Sequence, residues 1–426
     1  MTQSSSQIFK IWLGTVFAVP LWWILGCNLF IYHIVTALLV VATVHKAHQQ
    51  GKGLVVPPSF VLIGMTILVY VFSLIIRGIE ADPMRVLASL YNLSLWIMGL
   101  MLVFALTNLF TLSDIEPVVK IFPFLTGVTG VLVIAMFFAQ SRGYHSLIFP
   151  TPLYGLTKFL GHTILVENTL TLQPLYWDWF AEGNWPRFSF FSPYPTASGG
   201  VMIIFLSMLI AWARISKKVF SPVFIIPFVL TGAALLMTLS RMSVAAFATA
   251  FLLAFMIERR LFFIWVSFGI MLLILGSPWI AQFIQWMLSL REGSTLGRLA
   301  LYRYSLAQLA DVDWILGMGL KPREESSFAM PIGSHSTYLS LIFKTGILGV
   351  LAFAVFQASL LWRWCCLKNR AKLFPETRFF WQGLGIIFFG IGIWMMTQDI
   401  DAPQLVCFLY FSFVGLFEGF RRALSS

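Results

Sequence analysis

Arg187, Arg241 and His335 each stand next to the start of a long apolar run, and none has an acidic neighbour in the chain. A guanidinium stays charged and meets phosphate oxygens through a planar fork of donors. An imidazole, with an ordinary pKa of about 6.5, is a competent base at neutral pH. Gathered at one edge of a bilayer, such a set would hold an anionic, phosphate-bearing lipid and move a proton beside it. Plainer roles exist for each residue. Arg241, in a tight turn between two apolar runs, also fits a snorkelling arginine, and His335 also fits a residue that only orders the loop entering the next helix.

A bilayer is the setting because the 426-residue chain is 59% hydrophobic and 11% charged, with 42 Phe and 16 Trp, more apolar surface than one soluble core can hide. Runs long enough to cross hydrocarbon as helices recur from end to end. Twelve are expected: Ile11 to Gly26, Asn28 to Val44, Val56 to Ile76, Met84 to Leu106, Val118 to Ala139, Pro195 to Ala213, Val219 to Leu239, Met242 to Ile257, Leu261 to Leu288, Ser336 to Trp362, Phe379 to Thr397 and Ala402 to Phe417. Pro20 predicts a kink in the first, and Gly26-Cys27-Asn28 a turn into the second, although one long tilted helix could replace that pair. The fold class is therefore all-α, a single polytopic membrane domain over 1–426.

Orientation follows from the basic residues. With the N-terminus inside, the cytoplasmic segments hold sixteen Lys and Arg against five acids, whereas the other side holds eleven against twelve. Basic residues accumulate on the cytoplasmic side, so both termini are expected there. The formal charge of +11 is then a topology signal and gives no reason to invoke nucleic acid. No small-residue cleavage site follows the first apolar stretch, which reads as a retained helix.

Two long loops, 140–194 and 289–335, fall on the outer side, where the chain spends its polar length. Six prolines between Pro150 and Pro195 argue against long helices in the first. Its Trp177, Trp179 and Trp185 suit either an aromatic belt at headgroup level or stacking on sugar rings. In the second loop, Leu296, Leu299, Tyr302, Leu306 and Leu309 fall at near-helical spacing, flanked by Arg298 and Arg303. Either arginine suits a headgroup contact as well as an anion clamp. Asp311 and Asp313 could hold a divalent metal, or be solvated or capping. Cys27, Cys365, Cys366 and Cys407 imply no disulfide framework, and the chain lacks CxxC, HExxH, P-loop and GxSxG motifs.

The stretch Gly333-Ser334-His335-Ser336-Thr337-Tyr338-Leu339, running on to Lys344-Thr345-Gly346-Ile347-Leu348-Gly349, resembles the signature of the bacterial O-antigen ligase and O-antigen polymerase superfamily. In that signature a His followed by Asn, Ser or Gln lies nine residues before a GxxG-like pair. Gly297-Arg298 to Gly319 resembles the family's preceding segment, Leu239-Ser240-Arg241 its Ser-Arg membrane turn, and Arg187-Phe188-Ser189 to Pro195 its Arg-to-Asn-Pro stretch. The chain departs from the pattern at Ser336 for the commoner Asn, at Lys344 where an acid is often found, and at Tyr194 before Pro195. A lysine two turns into a membrane helix must face protein or a wet cavity, and Asp399 and Asp401 are both candidate partners.

The resemblance implies glycan transfer at the periplasmic face of the inner membrane, from an undecaprenyl-pyrophosphate-linked donor. His335 is then the catalytic base, which decides between its two readings. Arg187 and Arg241, with Arg298 or Arg303, clamp the pyrophosphate, with no metal and no cofactor, and direct attack inverts the anomeric centre. A ligase would use lipid A-core oligosaccharide as acceptor; a polymerase would join lipid-linked repeat units. A lipid-linked oligosaccharide transporter is the reading outside the family, and it predicts inverted repeats and broken helices near the midplane.

Overall fold

The computed structural model describes residues 7–78, 81–157, 164–177, 186–259, 282, 285, 292–308, 313–321 and 331–425. The expected helices are α1 (Gln7–Phe17), α2 (Val19–Leu25), α3 (Ile31–Gln49), α4 (Pro58–Gly78), α5 (Pro83–Leu109), α6 (Ile115–Lys120), α7 (Phe122–Ser141), α9 (Pro195–Ile215), α10 (Pro222–Met237), α11 (Arg241–Arg259), α13 (Thr337–Cys366), α15 (Pro375–Trp394) and α16 (Gln404–Ala423). Short α8 (Ile164–Leu170), α12 (Glu292–Gln308) and α14 (Lys368–Ala371) lie between them. Helices α5, α9, α10 and α15 open on a proline, whose missing N–H has no partner to lose in a first turn.

Eight helices among the described residues are long and apolar enough to cross a membrane, and the pair α1 and α2, bent by 57°, makes a ninth if counted as one span. The bend falls just before Pro20, as a proline kink requires. Gly26 then ends α2 in a left-handed conformation and α3 packs back on α1, so the first two runs form a hairpin. Helices α10 and α15 fill two more of the twelve expected runs, and the run Leu261 to Leu288, apart from residues 282 and 285, lies outside the described residues.

Helices α9 and α16 are at the centre, 94% buried along their apolar windows, so protein surrounds them on nearly every side. Helix α5 packs along α16, α15 packs on α9 and α11, and α4 packs along α13. Leu68, Val131 and Val41, each about two-thirds exposed, face outward where a bilayer would cover them. The prolines of the first loop have the expected effect. Strands β1 (Leu147–Pro150), β2 (Thr171–Tyr176) and β3 (Arg187–Phe188) form an antiparallel sheet in that order, and among the described residues of the loop only seven-residue α8 is an α-helix.

At the end of the bundle where α13 and α16 finish, two buried glutamates are neutralised by arginines. Glu258 takes Arg378 and Gln382, and Glu418 takes Arg363, Arg421 and the Ser59 hydroxyl. Several of the cations assigned to the cytoplasm thus collect at one end. Reporter fusions after Arg142 and after Gly293 should therefore both read as external, and an internal signal at either position would invert the assignment.

Candidate active site at the starts of three helices

Helix α13 is broken nine residues after it starts. Gly346 has φ 58° and ψ −162°, a conformation open to glycine. The break frees backbone groups at a depth without water, where each must find a protein partner. Residues 314–319 supply them. Met318 N–H donates to the Phe343 carbonyl at 2.7 Å, Gly319 N–H to the Lys344 carbonyl at 3.1 Å, and Ile347 N–H to the Trp314 carbonyl at 2.8 Å. The two backbones meet so closely that a Cβ on Gly346 would lie 2.4 Å from the Ile315 oxygen, and one on Gly317 2.5 Å from the Gly346 nitrogen. Glycines 317 and 346, read from sequence only as motif letters, are the two sides of one backbone junction.

The turn before α13 carries Gly333 and His335 at positive φ, 76° and 66°. Histidine is among the few residues enriched in that region, and the strain persists only because neighbours hold it. Helix α12 does the holding: Tyr302 Oη donates to the His335 carbonyl at 2.6 Å, and Gly333 N–H donates to Ser305 Oγ at 3.0 Å. Arg298, one turn before Tyr302, shares that face. Burial, then the charges of Arg298 and Lys321, push the His335 imidazole down to about 3, so it is neutral at physiological pH. Burial likewise pushes the Tyr302 phenol up to about 12.

Arg187 sits on β3, 7% exposed, and its Nε donates to the Thr238 carbonyl at 2.7 Å, three residues before Arg241. That bond joins the first outer loop to the α10–α11 turn. In α11, Ser243 lies against Gly199 of α9. Trp394, ending α15, donates from Nε1 to the Thr196 carbonyl at 3.0 Å, and the next carbonyl, Met395, accepts from Thr337 N–H at 2.9 Å. The starts of α9 and α13 are thus tied together through the end of α15, and the start of α11 lies against α9. The first-turn donors of α13 are used internally, Thr337 N–H also by Gln398 and Leu339 N–H by the Ser336 hydroxyl, so any anion there must be held mainly by side chains.

Residues 226–354 match the family model described as O-antigen ligase. That match supports the resemblance of this stretch to the O-antigen ligase and polymerase superfamily. The match starts within α10 and ends within α13, taking in Arg241, Arg298, Arg303, His335 and both glycines of the junction. Comparison with curated proteins gives no match. Members of the O-antigen ligase family are membrane glycosyltransferase-like enzymes.

Not every candidate lies at these helix starts. Arg303 is exposed, on a different side of α12 from Arg298 and Tyr302. The leucine stripe of α12 points outward as well, with Leu296 55% and Leu306 58% exposed, while Leu301 is the buried position. Asp313 accepts from Ile315 and Leu316 N–H and pairs with Arg77 at 3.0 Å, which makes it a turn cap. Its carboxyl is held below the usual carboxylate range, first by the Leu316 N–H and then by Arg77. Among the described residues no group of His, Cys, Asp and Glu is arranged for a metal. Asp311, Trp179 and Trp185 lie outside the described residues.

What the sequence reading left unresolved is the floor of the site. Lys321 Nζ pairs with Asp399 Oδ2 at 2.9 Å, and Lys344 Nζ with Asp401 Oδ2 at 2.6 Å, in the turn between α15 and α16. Trp96 Nε1 also donates to Asp401 at 2.9 Å, and Arg85 donates to the Lys321 carbonyl. Asp399 is raised above the usual carboxylate range by burial. Asp401 is held below it because the Lys344 and Lys321 charges outweigh the same burial. The partner of Lys344 is therefore Asp401, and Asp399 serves the loop lysine. The visible signal was a lone lysine in an apolar run with two acids in a later loop; spacing cannot pair residues 57 apart.

Proposed function

We propose that this chain is an O-antigen ligase, moving glycan from undecaprenyl pyrophosphate to lipid A-core oligosaccharide at the periplasmic face of the bacterial inner membrane. The observation that carries the reading is a neutral, partly buried imidazole at His335, held in a strained turn under the field of Arg298 and Lys321. In this reading the acceptor hydroxyl attacks the anomeric carbon and His335 takes its proton. The bond from that carbon to the pyrophosphate oxygen breaks, and its electron pair leaves with the lipid pyrophosphate. Direct attack inverts the centre. Arg187, Arg241 and Arg298 stabilise the charge that develops on the leaving group, the task fixed cations perform best in a site shielded from water.

A polymerase would run the same chemistry with a lipid-linked acceptor, so the test lies in the products. A deletion strain should accumulate long polymer on the undecaprenyl carrier and make lipopolysaccharide without O-antigen. Lipopolysaccharide capped with a single repeat would instead establish a polymerase. The broken helix α13 is a feature shared with transporters. Here residues 314–319 fill the break with backbone hydrogen bonds, which favours the enzyme.

The depressed imidazole has a consequence for catalysis. A base with a pKa of about 3 is weak, and the Arg298 and Lys321 charges are part of the cause after burial. A bound pyrophosphate brings opposite charge and raises the imidazole pKa, so donor binding activates the base. Because kcat/KM reports the free enzyme and kcat the complex, the acid limb of kcat should fall at higher pH than that of kcat/KM. Coincident limbs would remove this coupling.

A further inference from the structure

At the end of the bundle opposite His335, a cavity of about 320 Å³ opens among the ends of α5 and α16 and the segment leading into α4. Val55, Pro57, Thr107, Arg421, Arg422 and Ser425 line it, with Glu418 in its wall. Glu418 is fully buried and already paired with Arg363 and Arg421, so its one charge is outnumbered. Arg422 adds a further cation, whose hydrogen bond among the described residues is a long 3.5 Å contact to Asn108 Oδ1. Arg370 reaches the rim through Ser425 at 2.9 Å. A helix C-terminus alone favours cations in the last turn of α16. That preference does not account for a cavity lined by two arginines, with Arg370 at its rim, against one spent carboxylate and with two hydroxyls, Thr107 and Ser425, in its lining. Beside it, Leu54, Val55 and Val56 are 36%, 41% and 54% exposed, an apolar strip where a soluble anion would gain nothing.

We propose that this cavity binds the phosphate headgroup of an anionic membrane phospholipid, with the acyl chains lying along the 54–56 strip. Basic recesses between membrane helices are suited to such headgroups, each arginine adding a contribution that falls away within a Debye length. Guanidinium forks fit the phosphate, and the strip distinguishes a lipid from free phosphate. The inference is independent of the transfer chemistry, because the cavity lies outside residues 226–354 and at the far end of α13.

The test uses the full chain in mild detergent, with bound lipid read by native mass spectrometry and stability by thermal unfolding. Phosphatidylglycerol should be retained over phosphatidylcholine and should raise the unfolding midpoint, while inorganic phosphate at the same concentration should not. Arg422→Gln should lower retained phosphatidylglycerol about fivefold. Val55→Trp, which fills the cavity and leaves every charge in place, should lower it as much. Val55→Trp decides the matter should Arg422→Gln fail to fold. Retention unchanged in a folded variant, or equal stabilisation by inorganic phosphate, would overturn the lipid site.

Discussion

His335→Asn should turn over at least about a hundredfold more slowly than the parent while binding donor lipid nearly as well, because loss of a general base falls on the chemical step. Asparagine is the informative replacement. It tolerates the positive φ at this position, so the turn held by Tyr302 and Ser305 can survive without an imidazole. Arg187→Ala and Arg241→Ala should weaken donor binding as well as rate, since a cation facing the pyrophosphate acts in ground and transition states alike. Arg187→Ala should also loosen the link to the α10–α11 turn, because Nε donates to the Thr238 carbonyl. Single-turnover transfer at saturating donor, with a direct binding assay on folded protein, separates these effects. Near-parental turnover by folded His335→Asn would leave His335 a loop-ordering residue.

Lys344→Met should destabilise the protein by about 3–5 kcal/mol, because it leaves the Asp401 carboxylate buried without its cation. Both side chains are almost inaccessible, 1% and 5% exposed, so solvent cannot stand in for the missing partner. Asp401→Asn should cost a similar amount by stranding the ammonium, although its amide oxygen still accepts from Trp96 Nε1. Combining the two should recover much of the loss, since two neutral groups need less solvation than one unpaired charge. The pH dependence has a definite sign. In Lys344→Met the Asp401 pKa rises, so the penalty is largest at neutral pH and shrinks as pH falls through the raised value and the carboxyl is protonated. Unfolding of the four proteins of the cycle, in one detergent and at two pH values, gives the coupling energy. Additive losses would mean that the pair does not act as a unit.

Much of this protein was legible along the chain, for a physical reason. A bilayer demands an apolar stretch of set length and internal backbone pairing, so hydropathy alone located α3, α4, α5, α7, α9, α11, α13 and α16. The prolines of 140–194 foretold a loop of short elements, and Pro20 foretold the bend before α2. The match over residues 226–354 bears out the family resemblance drawn from the His335 and Gly346 motif.

Tertiary structure alone decided how the polar residues meet. Arg187 reaches Thr238, Arg77 pairs with Asp313, and Lys344 selects Asp401 over Asp399. Each of these pairs spans dozens to hundreds of residues, and no local preference records such a distance. The same holds for Gly317 and Gly346. A glycine marks where a chain can turn or approach closely, but which backbone approaches it depends on how α12 and the 313–321 loop pack against α13. Membrane length and helix period act on neighbours in sequence and so are written locally. The pairing of buried charges is a property of the packed bundle, because only there does low dielectric make an unpaired charge too costly to leave.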